Sequence, residues 1–107
     1  MPYIVVTAWY PSDLAKTVAE KYFEMLKKMP FDRSLGKETI PVAVTTNKRG
    51  IKVLSVMEVK QGKLEDAIAW VGKRMAMFID IKGYEYSERI WSTVIEALDS
   101  IGMSLPG

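Results

Sequence analysis

The 107-residue sequence predicts an α+β domain, and three observations support this prediction. Four runs of β-branched and aromatic residues, typical of strands, are spread along the chain. Two stretches between them repeat apolar residues every three or four positions, which is the period of an amphipathic helix. Glycine, proline and asparagine fall between these segments, where turns are expected. The length fits one domain over residues 1–107 with one hydrophobic core.

The first strand and helix are predicted from Tyr3 to Pro30. Residues 3–10 are almost all β-branched or aromatic, and Pro11 follows them. We expect Ser12 to cap the helix and Asp13 to lie in its first turn, where the helix dipole favours a negative charge. Pro30 ends this helix. Its apolar positions recur at spacings of three and four: Leu14, Val18, Tyr22, Met25 and Met29.

A loop and a hairpin are predicted next. Residues 30–39 are mostly polar and form a connection longer than most, which we expect to cross the surface. Strands at 40–46 and 51–59 are joined by the turn at 47–50, whose Asn and Gly tolerate a positive φ. Pro41 indicates an edge strand, because proline cannot donate a hydrogen bond to a neighbouring strand.

A second helix, a fourth strand and a short third helix complete the prediction. Gly72 inside the second helix costs about 1 kcal/mol relative to alanine, and we expect a close neighbour to explain it. Gly83 precedes the fourth strand at 84–91. Ser92 or Thr93 is expected to cap the third helix, and Thr93 with Glu96 fits a capping box. Gly102 marks a helix end, and a loose tail is expected over 104–107. The apolar positions of the second helix are Leu64, Ile68, Val71, Met75 and Phe78.

The resulting order, βαββαβ plus a C-terminal helix, predicts a ferredoxin-like sandwich with the first and third strands at the centre of the sheet. Helices would cover one face of this sheet only. Both faces of the first strand are nevertheless apolar or aromatic, and the third strand has the same character. Something must therefore cover the open face. A second copy of the chain is the simplest cover, since most oligomers are symmetric homodimers; a bound ligand or another protein is the alternative.

In element order and in the character of its sheet faces, the segment 3–91 resembles the small dimeric α+β-barrel proteins, in which two such sheets pack face to face. The resemblance implies a homodimer joined through the sheet faces. It depends on no signature motif and therefore implies no particular activity.

The composition excludes several kinds of chemistry. The chain has no histidine and no cysteine, so the usual zinc sites, Cys–His and Ser–His–Asp nucleophiles, histidine-ligated haem and iron–sulfur clusters are ruled out. We expect no cofactor and no metal. The net charge of +2 is small and its signs alternate along the helices, which argues against nucleic acid as a partner.

Location is predicted from the same sequence. It starts without a signal-peptide pattern and contains no apolar run of membrane-spanning length, so a cytoplasmic protein without a membrane partner is expected. Asn47 and Gln61 are the only side-chain amides, which is typical of thermophilic proteins, although the seven methionines weaken that inference. The methionines at 25, 29, 75 and 77 have helical core spacing and are interpreted as core filling.

Three groups of proteins of related fold share only part of their characteristic residues with this chain. Arg49-Gly50 matches the start of the third-strand motif of RNA-recognition domains, but Ile51, Val53 and Val56 stand where rings should stack on bases. Haem-degrading relatives of the dimeric barrels need a histidine that this chain lacks. The cofactor-free monooxygenases use an asparagine, and Asn47 lies in the predicted turn instead.

Aromatic and charged residues of the strands are the candidate ligand-binding set. We expect them to meet between the open sheet face and the loop at 30–39, with Tyr84, Tyr86 and Glu88 as the alternative set. A dimer interface, where Tyr and Trp are enriched, is the favoured interpretation of these aromatics, ahead of a ligand pocket. No catalytic residue is assigned. The candidate set is Trp9, Glu58, Tyr86, Arg89 and Trp91.

The sequence thus predicts a non-enzymatic, homodimeric module that binds a small aromatic or apolar ligand or another protein. The alternative is a cofactor-independent monooxygenase or isomerase using Tyr, Glu or Arg. An RNA-binding module is the least favoured interpretation.

Overall fold

The computed structural model describes residues 1–106 and confirms the α+β class. Gly107, the last residue of the predicted tail, lies outside the described residues. A single turn of 3₁₀ helix at Ser12–Leu14 precedes the first α-helix. The strands are β1 (Tyr3–Tyr10), β2 (Gly36–Asn47), β3 (Gly50–Val59) and β4 (Glu85–Trp91), and the helices are α1 (Ala15–Lys28), α2 (Leu64–Ala76) and α3 (Val94–Asp99).

The four strands form one open antiparallel sheet in the order β2-β3-β1-β4. This arrangement is compatible with a ferredoxin-like fold. Pro41 lies in the edge strand β2, where its missing N–H costs no central ladder hydrogen bond. None of the helices within residues 1–106 has the length and apolar character that a membrane crossing needs.

The core lies between one face of the sheet and the helices α1 and α2. Every second residue of β1 points to this side, beginning with Ile4, and these residues pack against helical positions spaced three and four apart. Met25 and Met75 are buried there, as the core-filling interpretation expects. The buried set of the helices is Val18, Met25, Ala67, Val71 and Met75.

Two predicted boundaries were wrong. Strand β2 begins at Gly36, so residues 36–39 belong to the sheet and the loop is shorter than expected. Gly36 pairs with Val59 at a separation that leaves no room for a side chain, which is not visible in a polar sequence. Ser12 makes no capping hydrogen bond, because it lies inside the 3₁₀ turn, where the Leu14 N–H donates to the Pro11 carbonyl.

The close neighbour expected at Gly72 is absent. A Cβ built on Gly72 meets no atom of residues 1–106 within 4 Å beyond the helix itself and its chain neighbours. The predicted contact was therefore wrong, and nothing in the structure explains the glycine.

The C-terminal prediction is confirmed. The Thr93 hydroxyl accepts from the Glu96 N–H at 3.1 Å, and the Glu96 carboxylate accepts from the Thr93 N–H at 2.8 Å. This second bond is the main cause that lowers the pKa of Glu96. Gly102 has a φ of 72°, and the Met103 N–H donates to the Leu98 carbonyl, which closes the helix end.

Candidate functional site

The strand register defines the sheet face that the helices leave open. Across β2, β3, β1 and β4 its side chains form four successive rows. The two middle rows are mostly apolar, whereas each outer row combines aromatic and charged residues. The rows are Lys37, Glu58, Tyr3 and Trp91; Ile40, Val56, Val5 and Arg89; Ala43, Leu54, Thr7 and Ser87; and Thr45, Lys52, Trp9 and Glu85.

Four of the five predicted site residues lie on this open face, but they do not converge. Glu58 and Trp91 both flank Tyr3, with Arg89 in the next row. Trp9 lies in the opposite outer row, six residues along β1, which is about 20 Å away at roughly 3.4 Å per residue. Tyr86 pairs with Ala8 and therefore faces the helices. The structure thus gathers only Glu58, Arg89 and Trp91.

A cavity of about 300 Å³ lies on the other side of the sheet, between the strands and the helices α1 and α2. The loop after α1 contributes Phe31 to this cavity. That loop was predicted to cover the open face, and this placement was wrong. The Phe31 ring packs perpendicular to the Trp70 ring, with 5.4 Å between the ring centroids. Because this contact holds Phe31 on the helix side, the loop covers the cavity instead of the open face.

An irregularity in β2 provides the opening. Ile40 pairs with Val56 and Ala43 with Leu54, so two β2 residues, Pro41 and Val42, stand opposite Ser55 alone. The exposed Pro41 and Val42 line the cavity, as does Ser55 on the adjacent strand. The cavity therefore reaches solvent at the β2 edge of the sheet.

Aromatic rings form much of the cavity wall. Phe78 stacks on Tyr84 at 4.9 Å between ring centroids, and Tyr84 stacks on Tyr10 at 5.8 Å. Burial raises the pKa of both tyrosines above the ordinary value, so both remain neutral phenols at physiological pH. A cavity wall formed by aromatic rings favours contact with an apolar or aromatic ligand.

Arg74 and Glu38 are the charged residues of the lining. Arg74 donates from Nε and Nη2 to the Met29 carbonyl at 2.9 and 2.7 Å. Its guanidinium also lies 4.4 Å from the centre of the Trp70 ring. Burial lowers the pKa of Arg74, and the negative charge of Glu38 acts in the opposite direction.

The alternative set lies largely outside this cavity. Tyr84 lines it, but Tyr86, 6.4 Å from Tyr84 between ring centroids, extends toward the exposed β4 edge. Glu88 faces the helix side opposite Val6, and its partial burial raises its pKa. Within residues 1–106 no group of three or more acidic, histidine or cysteine residues is placed to hold a metal ion.

The sequence did not predict the cavity or its two charged residues. Glu38 lies within the predicted loop at 30–39, and Arg74 is not among the apolar positions predicted for the second helix. Two features of the sequence could have indicated a cavity. Ser55 is a polar residue among the apolar helix-side positions of β3, and Pro41 interrupts the neighbouring strand. Comparison with known proteins adds no further guide, because no protein family, curated protein or solved structure matches the chain.

Proposed function

We propose that this protein is a homodimeric module that binds a small apolar ligand in the cavity between its sheet and its helices. The observation that supports the proposal is the cavity itself: about 300 Å³, lined largely by apolar and aromatic side chains, with a few polar groups near its opening. Small-molecule sites have this construction. An engineered apolar cavity of about 150 Å³ binds benzene, so this one has room for two fused rings.

The ligand-binding part is tested by adding naphthalene to the ¹⁵N-labelled protein and following backbone amide shifts. We expect saturable shifts at Val6, Ser55 and Val71, which surround the cavity. Arg89 and Trp91 point to the open face of β4, none of their sequence neighbours lines the cavity, and they serve as internal controls. Shifts confined to Arg89 and Trp91 would move the site to the open face, and no saturable shifts at all would refute ligand binding in the cavity.

The open face supports the homodimer. Its middle rows are mostly apolar, and its outer rows carry Trp9 and Trp91, which are 38% and 57% exposed. Each outer row also holds both signs of charge: Lys37 and Glu58 in one, Lys52 and Glu85 in the other. A surface that packs on a copy of itself needs both signs at its rim, so that acids can meet bases.

We propose that the exposed C-terminal residues extend the dimer interface beyond the open face. Four strands about 4.8 Å apart and eight residues long present a projected area on the order of 500 Å². A stable interface buries roughly 800 Å² on each partner. Trp91 leads directly from the open face into a C-terminal patch in which every side chain is more than half exposed. We define this patch as Val94, Ile95, Ile101, Met103 and Leu105.

Sedimentation equilibrium at micromolar concentration tests the dimer. We expect a mass near twice the 12.1 kDa of the chain. Val56→Lys places a charge among the apolar middle rows and should shift the protein to the monomer, because an unpaired buried charge weakens an interface strongly. Ile79→Lys is the matched control, since Ile79 is 73% exposed at the end of α2, away from the open face. A wild-type mass near 12.1 kDa would refute this part of the proposal.

A further inference from the structure

The guanidinium of Arg74 is held in one position by its surroundings. Trp70 and Arg74 are four residues apart on α2 and so share a helix face, which places the charge over the ring. The two bonds to the Met29 carbonyl satisfy a group at the C-terminal end of α1 that has no partner within its own helix. These contacts use Nε and one N–H of Nη2. Within residues 1–106 the Nη1 group donates to nothing.

Glu38, on β2, places a hydrogen-bond acceptor in the same cavity as the Arg74 donor. Its backbone pairs with Met57, and its side chain lines the cavity on the helix side. The carboxylate is near enough to Arg74 to favour the charged form of the guanidinium. The part of the chain that the structure describes nevertheless gives it no ion pair within 4 Å and no hydrogen bond. A partly buried carboxylate has acceptor sites to fill.

Taken together, these two residues select for a ligand without net charge. An anionic group that approaches Arg74 is repelled by Glu38, and a cationic group is repelled by Arg74. A hydroxyl group avoids both penalties, because it donates one hydrogen bond and accepts another. It can donate to the Glu38 carboxylate and accept from Arg74 Nη1 at once.

We infer that the cavity binds a neutral two-ring molecule with a single hydroxyl group, which Glu38 and Arg74 hold at the β2 edge. The inference rests on the proposed function and adds the chemical class of the ligand. The apolar body fills the space between the aromatic walls, and the hydroxyl stays at the opening, near Pro41 and Val42.

Isothermal titration calorimetry at pH 7 with four probes of one shape tests the inference. The probes are 2-naphthol, naphthalene, 2-naphthoate and 2-naphthylmethylammonium; 2-naphthol is neutral at this pH. We expect 2-naphthol to bind at least about tenfold more tightly than naphthalene, since hydrogen bonds to charged partners are the stronger kind. We expect both ions to bind more weakly than 2-naphthol.

Glu38→Met then isolates the polar contact. This variant should reduce the preference for 2-naphthol over naphthalene to about twofold or less, while the affinity for naphthalene itself stays within about twofold. Glu38→Gln, which keeps an acceptor but not the charge, should give an intermediate preference. Glu85→Met removes a carboxylate from the open face and is the matched control, with the preference unchanged.

The outcomes separate the inference from the proposed function. Naphthalene binding as tight as 2-naphthol binding, a preference for either ion, or an unchanged preference in Glu38→Met would overturn the hydroxyl assignment and leave the apolar cavity site standing. Failure of all four probes to bind would refute both.

Discussion

Replacing Gly36 with alanine is expected to lower the free energy of unfolding by about 3 kcal/mol or more. Gly36 is buried at the first position of β2, paired with Val59. A Cβ at this position falls directly onto the Glu58 carbonyl oxygen and lies 3.0 Å from the carbonyl carbon. These are backbone atoms of a central strand, so the clash cannot be relieved by a rotamer change. The start of β2 must separate from β3.

Urea denaturation of the variant measures this loss. Gly72→Ala is the control, because it is also a glycine-to-alanine change but its Cβ meets open space. It should raise stability by about 0.5–1 kcal/mol through helix propensity alone. If Gly36→Ala lowers the free energy of unfolding by less than about 1 kcal/mol, β2 and β3 are less closely paired at this end than the structure indicates.

Replacing Ser55 with isoleucine is expected to abolish ligand binding in the cavity while it stabilises the protein. Ser55 lines the cavity from a central strand, opposite Val6 and beside the irregular part of β2. The larger side chain fills space that the ligand needs, so the affinity for naphthalene should fall at least tenfold. Stability should rise by about 1–2 kcal/mol, because about 0.8 kcal/mol accompanies each added buried methylene and isoleucine favours strands.

Calorimetric titration with naphthalene and urea denaturation measure the two effects of Ser55→Ile. Ser87→Ile is the matched control, since it makes the same change on the open face of β4. Its ligand affinity should equal that of the wild type. If Ser55→Ile binds naphthalene normally, the cavity is not the binding site. If it loses stability, the space beside Ser55 is smaller than the structure indicates.

The local signals of the sequence were sufficient for the order of the strands and long helices and for the two apolar faces of β1. The β-branched and aromatic content of β1 and β3, the spacing of apolar residues in both long helices and the capping box at Thr93 each depend on residues close together in the chain. Such signals are decided by backbone geometry and by the period of the element. They can therefore be interpreted without knowledge of the fold.

The start of β2 could not be predicted from such local signals. Residues 36–39 are polar and resemble a loop, and only the β3 backbone makes them a strand. The steric need for Gly36 comes from a carbonyl that is 22 positions further along the chain. The weak preference of residues 36–39 for a loop is overridden here, because pairing with Val59 and Met57 of β3 stabilises the strand conformation.

The sequence by itself determined the class of fold, the apolar character of both faces of β1 and the absence of histidine and cysteine side chains. Only the tertiary structure decided where a ligand has room. The cavity exists because Pro41 and Val42 stand opposite a single residue, and because Phe31 packs on Trp70 on the helix side. Arg74 lies outside the apolar positions predicted for α2 and Glu38 lies in the predicted loop, so their placement in one cavity depends on how α2 crosses the sheet. Sequence spacing sets which face a residue shares with its near neighbours, whereas a cavity is bounded by residues that are distant in the chain.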